Sequence, residues 1–156
     1  MHNSGFVPIG LLLICGVAVA AADDRYVAVD QAHTGDYWKI MHDRHPAPKY
    51  PAAAIKRHAS GCAAVAFAIK GDGTVAEPKL VRTFATRDGV DAQFGQAAMA
   101  NVPAWHYVPA AGNSQRTAVY TYAILTFFLS GTREDEMKEQ CVIDDFVDAL
   151  RGPTPK

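Results

Sequence analysis

The stretch from Arg116 to Leu129 constrains the fold more than any other part of the chain, because nearly every residue in it is apolar, aromatic or β-branched. Over this length such a composition reads as a strand. Strand parity puts Val119, Ala123, Leu125 and Phe127 on one side and Tyr120, Tyr122, Ile124 and Phe128 on the other. Neither side is polar, so a sheet built around this strand must be covered on both faces. A cover for the second face follows in the chain. Thr132 and Asp135 have the spacing of a capping box, Ile143, Phe146, Val147 and Leu150 form an apolar stripe, and Gly152-Pro153 stops the run. One C-terminal helix, lying as a lid, is the expectation.

Two further strands precede it. Residues 62–69 alternate strictly, with Val65, Phe67 and Ile69 on a bulky face and Cys62, Ala64, Ala66 and Ala68 on a small one. Gly71-Asp72-Gly73 turns the chain into a second strand over residues 75–83, where Pro78 cannot donate to a ladder and marks an edge or a bulge. Asp91 is placed to cap a helix over residues 92–101 that offers Phe94, Ala97 and Ala98 to the sheet, and Pro103 ends it. Beyond it Trp105 and Tyr107 share one face, directed at that helix, with His106 turned away. The predicted core is Val65, Phe67, Ile69, Phe94, Trp105, Tyr107 and Phe127. Upstream, Pro46, Pro48 and Pro51 hold Lys49-Tyr50 extended. A short helix over residues 52–58 follows. Residues 23–47 read as a polar lead-in with an extended piece at 26–29 and a helical turn near 37–42.

A chain of 156 residues that is 49% apolar can bury one core. Lys and Arg total 15 against 16 acidic residues, a balance that leaves no electrostatic footprint for nucleic acid. Residues 6–22 lack charged side chains and end in Ala20-Ala21-Ala22 before Asp23-Asp24, the pattern of a cleaved export signal. An uncleaved anchor is the other reading. The chain thus divides into an export segment over 1–22, the lead-in over 23–47, a domain over 48–130 and a C-terminal helix with its tail over 131–156. Removal of the signal would take Cys15 with it and leave Cys62 and Cys141, which in an exported protein are expected to form one disulfide.

Catalytic chemistry finds little support. A nucleophile beside an orienting base, or paired carboxylates in a cleft, leaves a recognisable signature, and none is present. His33, His42 and His45, with Asp36 or Asp43, could at most make a loose metal set, and solvated histidines are the simpler reading. No enzyme activity, metal or cofactor is expected. The long strand is different, because an apolar edge is a hazard unless something pairs with it. If the sheet order is second, first, third strand, the third keeps an open outer ladder. An extended peptide could add there, with Tyr120 or Tyr122 giving contact area. A second copy of the chain could use the same edge in a homodimer, or the lead-in at 26–29 could fill it.

Taken in register, Tyr50-Pro51, the Asp72-Gly73 hairpin and the string Trp105-His106-Tyr107-Val108-Pro109-Ala110 resemble the C-terminal domain of the TonB energy-transducer family. The resemblance covers residues 48–129. It implies an α/β (α+β) fold with a small antiparallel three-stranded sheet, helices on one face, and a periplasmic location. It also implies binding of the extended box of an outer-membrane TonB-dependent receptor by strand addition, with inner-membrane partners of the ExbB/ExbD kind supplying energy. By position, Tyr50, Pro51 and the third strand, with Arg116, Tyr120, Tyr122 and Ile124, correspond to the receptor-contacting elements. A periplasmic module that captures an extended peptide is the first reading of function. A small membrane-anchored energy transducer is the second, and a metal-binding or enzymatic protein the third.

Overall fold

A computed structural model describes residues 26–151. In chain order it has β1 (Val27–Ala28), α1 (Thr34–Tyr37), β2 (Trp38–Ile40), a 3-10 turn at His42–Arg44, α2 (Ala52–Lys56), β3 (Gly61–Ile69) and β4 (Val75–Ala85). Then follow α3 (Asp91–Asn101), a 3-10 turn at Val102–Ala104, β5 (Tyr107–Pro109), β6 (Val119–Phe127), α4 (Glu134–Glu139) and α5 (Phe146–Arg151). The expected export signal, the Gly152-Pro153 stop and the side chain of Leu150 lie outside the described residues.

The main sheet has the order β1-β6-β3-β4, and β2 pairs with β5 in a separate ribbon. The three expected strands occupy the expected order, antiparallel throughout. The addition is β1, which runs parallel to β6 and makes the sheet four-stranded and mixed. Every residue of β3 is buried, as a central strand covered on both faces requires. Its bulky face meets Phe94, Trp105, Tyr107 and Phe127, so all seven predicted core residues fall in one cluster. Each such aromatic or branched side chain contributes roughly 1.5–3 kcal/mol by leaving water. The small face of β3, with Cys62, Ala64 and Ala66, meets Tyr122, Cys141 and Phe146 in a second cluster.

The β3–β4 hairpin turns on Gly73, whose φ of +83° is open to glycine and whose missing side chain leaves room for the Tyr107 carbonyl. Pro78 sits at a bulge. Register shifts separate Ala66 from Ala68 on the β3 side, and Glu77 beside the proline has φ 52°. α3 starts one residue earlier than predicted, with Val90 at its cap; Asp91 lies inside the first turn, and its carboxylate accepts from the Thr83 hydroxyl at 3.4 Å. The 3-10 turn carrying Pro103 delivers Trp105 back to α3, where the indole N–H donates to Asn101 Oδ1 at 2.8 Å.

Two expectations need correction. The predicted helical turn at residues 37–42 has β2 at its centre, because Trp38 is buried and its indole N–H reaches the Thr117 carbonyl at 2.9 Å, which pins the segment extended against β5. The single C-terminal helix is two helices of six residues each. Thr132 is no cap: Arg133 holds that position, and the Thr132 hydroxyl accepts from Ser60 Oγ at 3.0 Å. The break has a geometric cause. Cys141 is bonded to Cys62 and Phe146 packs on Tyr122, yet positions five apart on one helix point about 140° away from each other. Unwinding around Asp145, at φ 55°, lets both face the sheet.

Candidate functional site

The outer edge of β6 is occupied at one end and open at the other. Val27 N–H donates to Ala118 C=O and Val29 N–H to Tyr120 C=O, each at 3.0 Å. In a strand the N–H and C=O of one residue share a side and alternate along the chain, so Tyr122, Ile124 and Thr126 also turn theirs outward, away from β3. Among the described residues nothing pairs with them. After Val29 the chain leaves the edge: the Thr34 and Thr121 hydroxyls hydrogen-bond at 2.6 Å, and the lead-in crosses above the sheet.

That crossing creates a groove of about 510 Å³ beside the open ladder. Its near wall is Thr121, Tyr122, Ala123 and Ile124, its floor Phe67, Trp105 and Tyr107, and its far wall Thr34, Trp38, Lys39, His42 and His45. The far wall is fixed by the β2–β5 ribbon, which Met41 N–H extends by donating to His106 C=O at 2.9 Å. His45 lies against the Trp105 ring, centroids 4.5 Å apart, and burial, aided by His42, lowers its pKa. Burial likewise raises the pKa of Tyr107 on the floor.

The sequence-predicted contact residues are dispersed around this edge. Ile124 and Tyr122 stand on it. Tyr120 and Tyr122 direct their rings to the opposite face of the sheet, where both pack on Phe146 and the Tyr122 hydroxyl donates to Ile143 C=O at 3.4 Å. Arg116 precedes the strand, at φ 56°, and its guanidinium donates to the Gly71 carbonyl in the hairpin turn. Tyr50 packs edge-on against Phe94 and Phe127, and its hydroxyl donates to the Ala59 carbonyl at 2.7 Å. With Pro51 it borders a second groove, about 550 Å³, along Gln93, Gln96 and Asn101 of α3. The cysteines form the expected disulfide, their Cα atoms 6.1 Å apart. Of the three lead-in histidines, His33 bonds to Asp30 at 2.7 Å, and among the described residues no three His, Cys, Asp or Glu come together as a metal set.

Sequence reasoning missed the far wall entirely. Its one signal was Trp38 with Ile40, an apolar pair inside an otherwise polar lead-in.

Residues 46–129, more than half of the chain, match the family described as the Gram-negative bacterial TonB protein C-terminal. The chain belongs to that family. The solution structure of the Pseudomonas aeruginosa TonB C-terminal domain is similar at 19% identity and a TM-score of 0.47, over 67% of this chain and 97% of that one. A Helicobacter pylori TonB C-terminal domain is similar at 22% identity and a TM-score of 0.38, over 55% and 72%. No curated protein sequence matches. As a TonB C-terminal domain the chain is associated with TonB-dependent transport, and the family's domain is periplasmic. Among the described residues no helix is long and apolar enough to cross a membrane. The lead-in elements β1, α1 and β2, like α4 and α5, lie outside the matched region.

Proposed function

We propose that this protein is a periplasmic module that captures an extended peptide, the box of an outer-membrane TonB-dependent receptor, by strand addition to the outer edge of β6. The observation that carries the reading is the run of outward N–H and C=O groups at Tyr122, Ile124 and Thr126, next to a groove that has room for side chains. Main-chain pairing supplies affinity in this mode, and the groove supplies selectivity. The family's association with TonB-dependent transport agrees with it. In this reading the segment over 1–22 is a cleaved export signal and Asp23 is the first residue of the mature protein.

Ile124→Pro tests the edge. The substitution removes one outward donor and sets a ring where a partner backbone would lie, while the inner ladder to β3 stays intact. Tyr122→Pro is a poorer probe, since it also deletes a ring packed on Phe146. A synthetic peptide bearing a receptor box should bind Ile124→Pro at least about tenfold more weakly, a lost hydrogen bond plus steric exclusion, while the circular-dichroism melt stays cooperative and falls modestly, because the half-buried Ile124 side chain packs at the margin of the Phe146 cluster. Undiminished binding would refute strand addition at this edge.

A further inference from the structure

We infer that the lead-in ahead of the family domain is the selective wall of this groove, and that it favours a peptide with acidic side chains on the face turned into the groove. The inference rests on the strand-addition reading. The charge of the lining is one-sided: Lys39, His42 and His45 stand on the far wall, and among the described residues no carboxylate lines the groove. Asp36 and Asp43 belong to the same lead-in but stay out of the lining. Among the described residues Lys39, exposed at the rim of the groove, has no ion-pair partner, so its charge is uncompensated. The main chain that carries this exposed side chain is set rather than loose. Lys39 pairs in register with Val108 across the β2–β5 ribbon, and the Trp38 indole next to it is anchored to the Thr117 carbonyl.

Strand geometry then fixes a pattern. Thr121 and Ala123 turn their side chains to the groove side, and an added strand must alternate in step, so every second peptide residue faces Lys39 and the histidines while its neighbours face the opposite side of the sheet. The occupant is therefore an extended peptide read with period two, acidic toward the lead-in. Electrostatic complementarity at an exposed wall acts mainly on selection, and a solvent-exposed pair at about 4 Å accounts for roughly three- to fivefold in affinity at low salt.

The test is a glutamate scan on the full chain. Fluorescein-labelled peptides alternating valine and threonine carry one glutamate, or one glutamine, moved stepwise along the sequence, and binding is followed by anisotropy at low ionic strength and pH 8. Glutamate should bind about three- to fivefold better than glutamine at alternate positions and equally at the positions between. Raising the salt should erase the difference. In Lys39→Gln the alternation should vanish. A flat scan whose binding still depends on Ile124 overturns the charged wall and leaves strand addition standing. An alternation that survives Lys39→Gln also overturns it. Failure of every peptide to bind, or a dimer closed through β6 in sedimentation, removes both readings together.

Discussion

Replacing Cys62 and Cys141 by alanine removes a link between residues 79 apart in sequence, and the loop-closure relation assigns such a link roughly 4–5 kcal/mol of stability through the unfolded chain. The structure says how that loss is distributed. Cys141 lies between two six-residue helices: Phe146 of α5 joins the cluster on the small face of β3, and α4 is polar except for the buried Met137. Helices this short do not persist without packing. Without the link, residues 134–148 should detach in a local opening before the sheet unfolds, because the bulky core on the other face does not depend on them. Amide hydrogen exchange in the double variant should therefore accelerate across α4 and α5 while β3 and β6 stay protected from exchange. Urea denaturation should show global stability lower by up to that 4–5 kcal/mol. The refuting result is a double variant within 1 kcal/mol of the parent, with unchanged exchange in residues 134–148.

Trp105→Ala should cost about 3–5 kcal/mol in urea denaturation, since the indole is buried against Phe67 and bonded to Asn101; an unchanged midpoint would contradict its place in the core. Gly73→Ala should cost roughly 1–3 kcal/mol, measured the same way, by forcing a side chain into a φ of +83° under the Tyr107 carbonyl. His33 and His45 should titrate in a set order by proton NMR, His45 first as pH rises. The hydrogen bond to Asp30 raises the His33 pKa and lowers that of Asp30. The contribution of His33 is therefore full below its ordinary value and fades as pH rises through the raised one; that of Asp30 is present above the usual carboxylate range and fades as pH falls through its lowered value. His45 runs the other way: burial lowers its pKa, and its contribution is lost as pH falls through that value. A His45 midpoint at or above that of His33 would contradict both contacts.

The strands at residues 61–69 and 119–127 were legible because side-chain alternation survives burial on both faces: large against small in β3, two apolar sets in β6. The core residues followed from the same parity. What escaped was decided at a distance. β2 and β5 are three residues each, too short for any period to register, and exist because each supplies the other's hydrogen bonds. The split of the C-terminal helix depends on where Cys62 sits in the folded sheet, and helical periodicity alone could not include that tether. For the site, the open edge is legible in β6, and the lead-in at 26–29 is one of the occupants its sequence allows. Its occupation, among the described residues, by the two residues of β1, and the groove that the departing lead-in builds, required the crossing path of the chain.

The bulge at Pro78 and the open run at Tyr122, Ile124 and Thr126 lie on opposite margins of one sheet. Growth of a sheet into a fibre needs a donor margin and an acceptor margin on every subunit. Here one margin is kinked and carries Glu77, Lys79 and Arg82, so any strand that joins at β6 ends the series. Two copies meeting at that margin would close on themselves by two-fold symmetry and leave nothing for a third. On the strand-addition reading, the same asymmetry that leaves one margin open limits the sheet to a single guest.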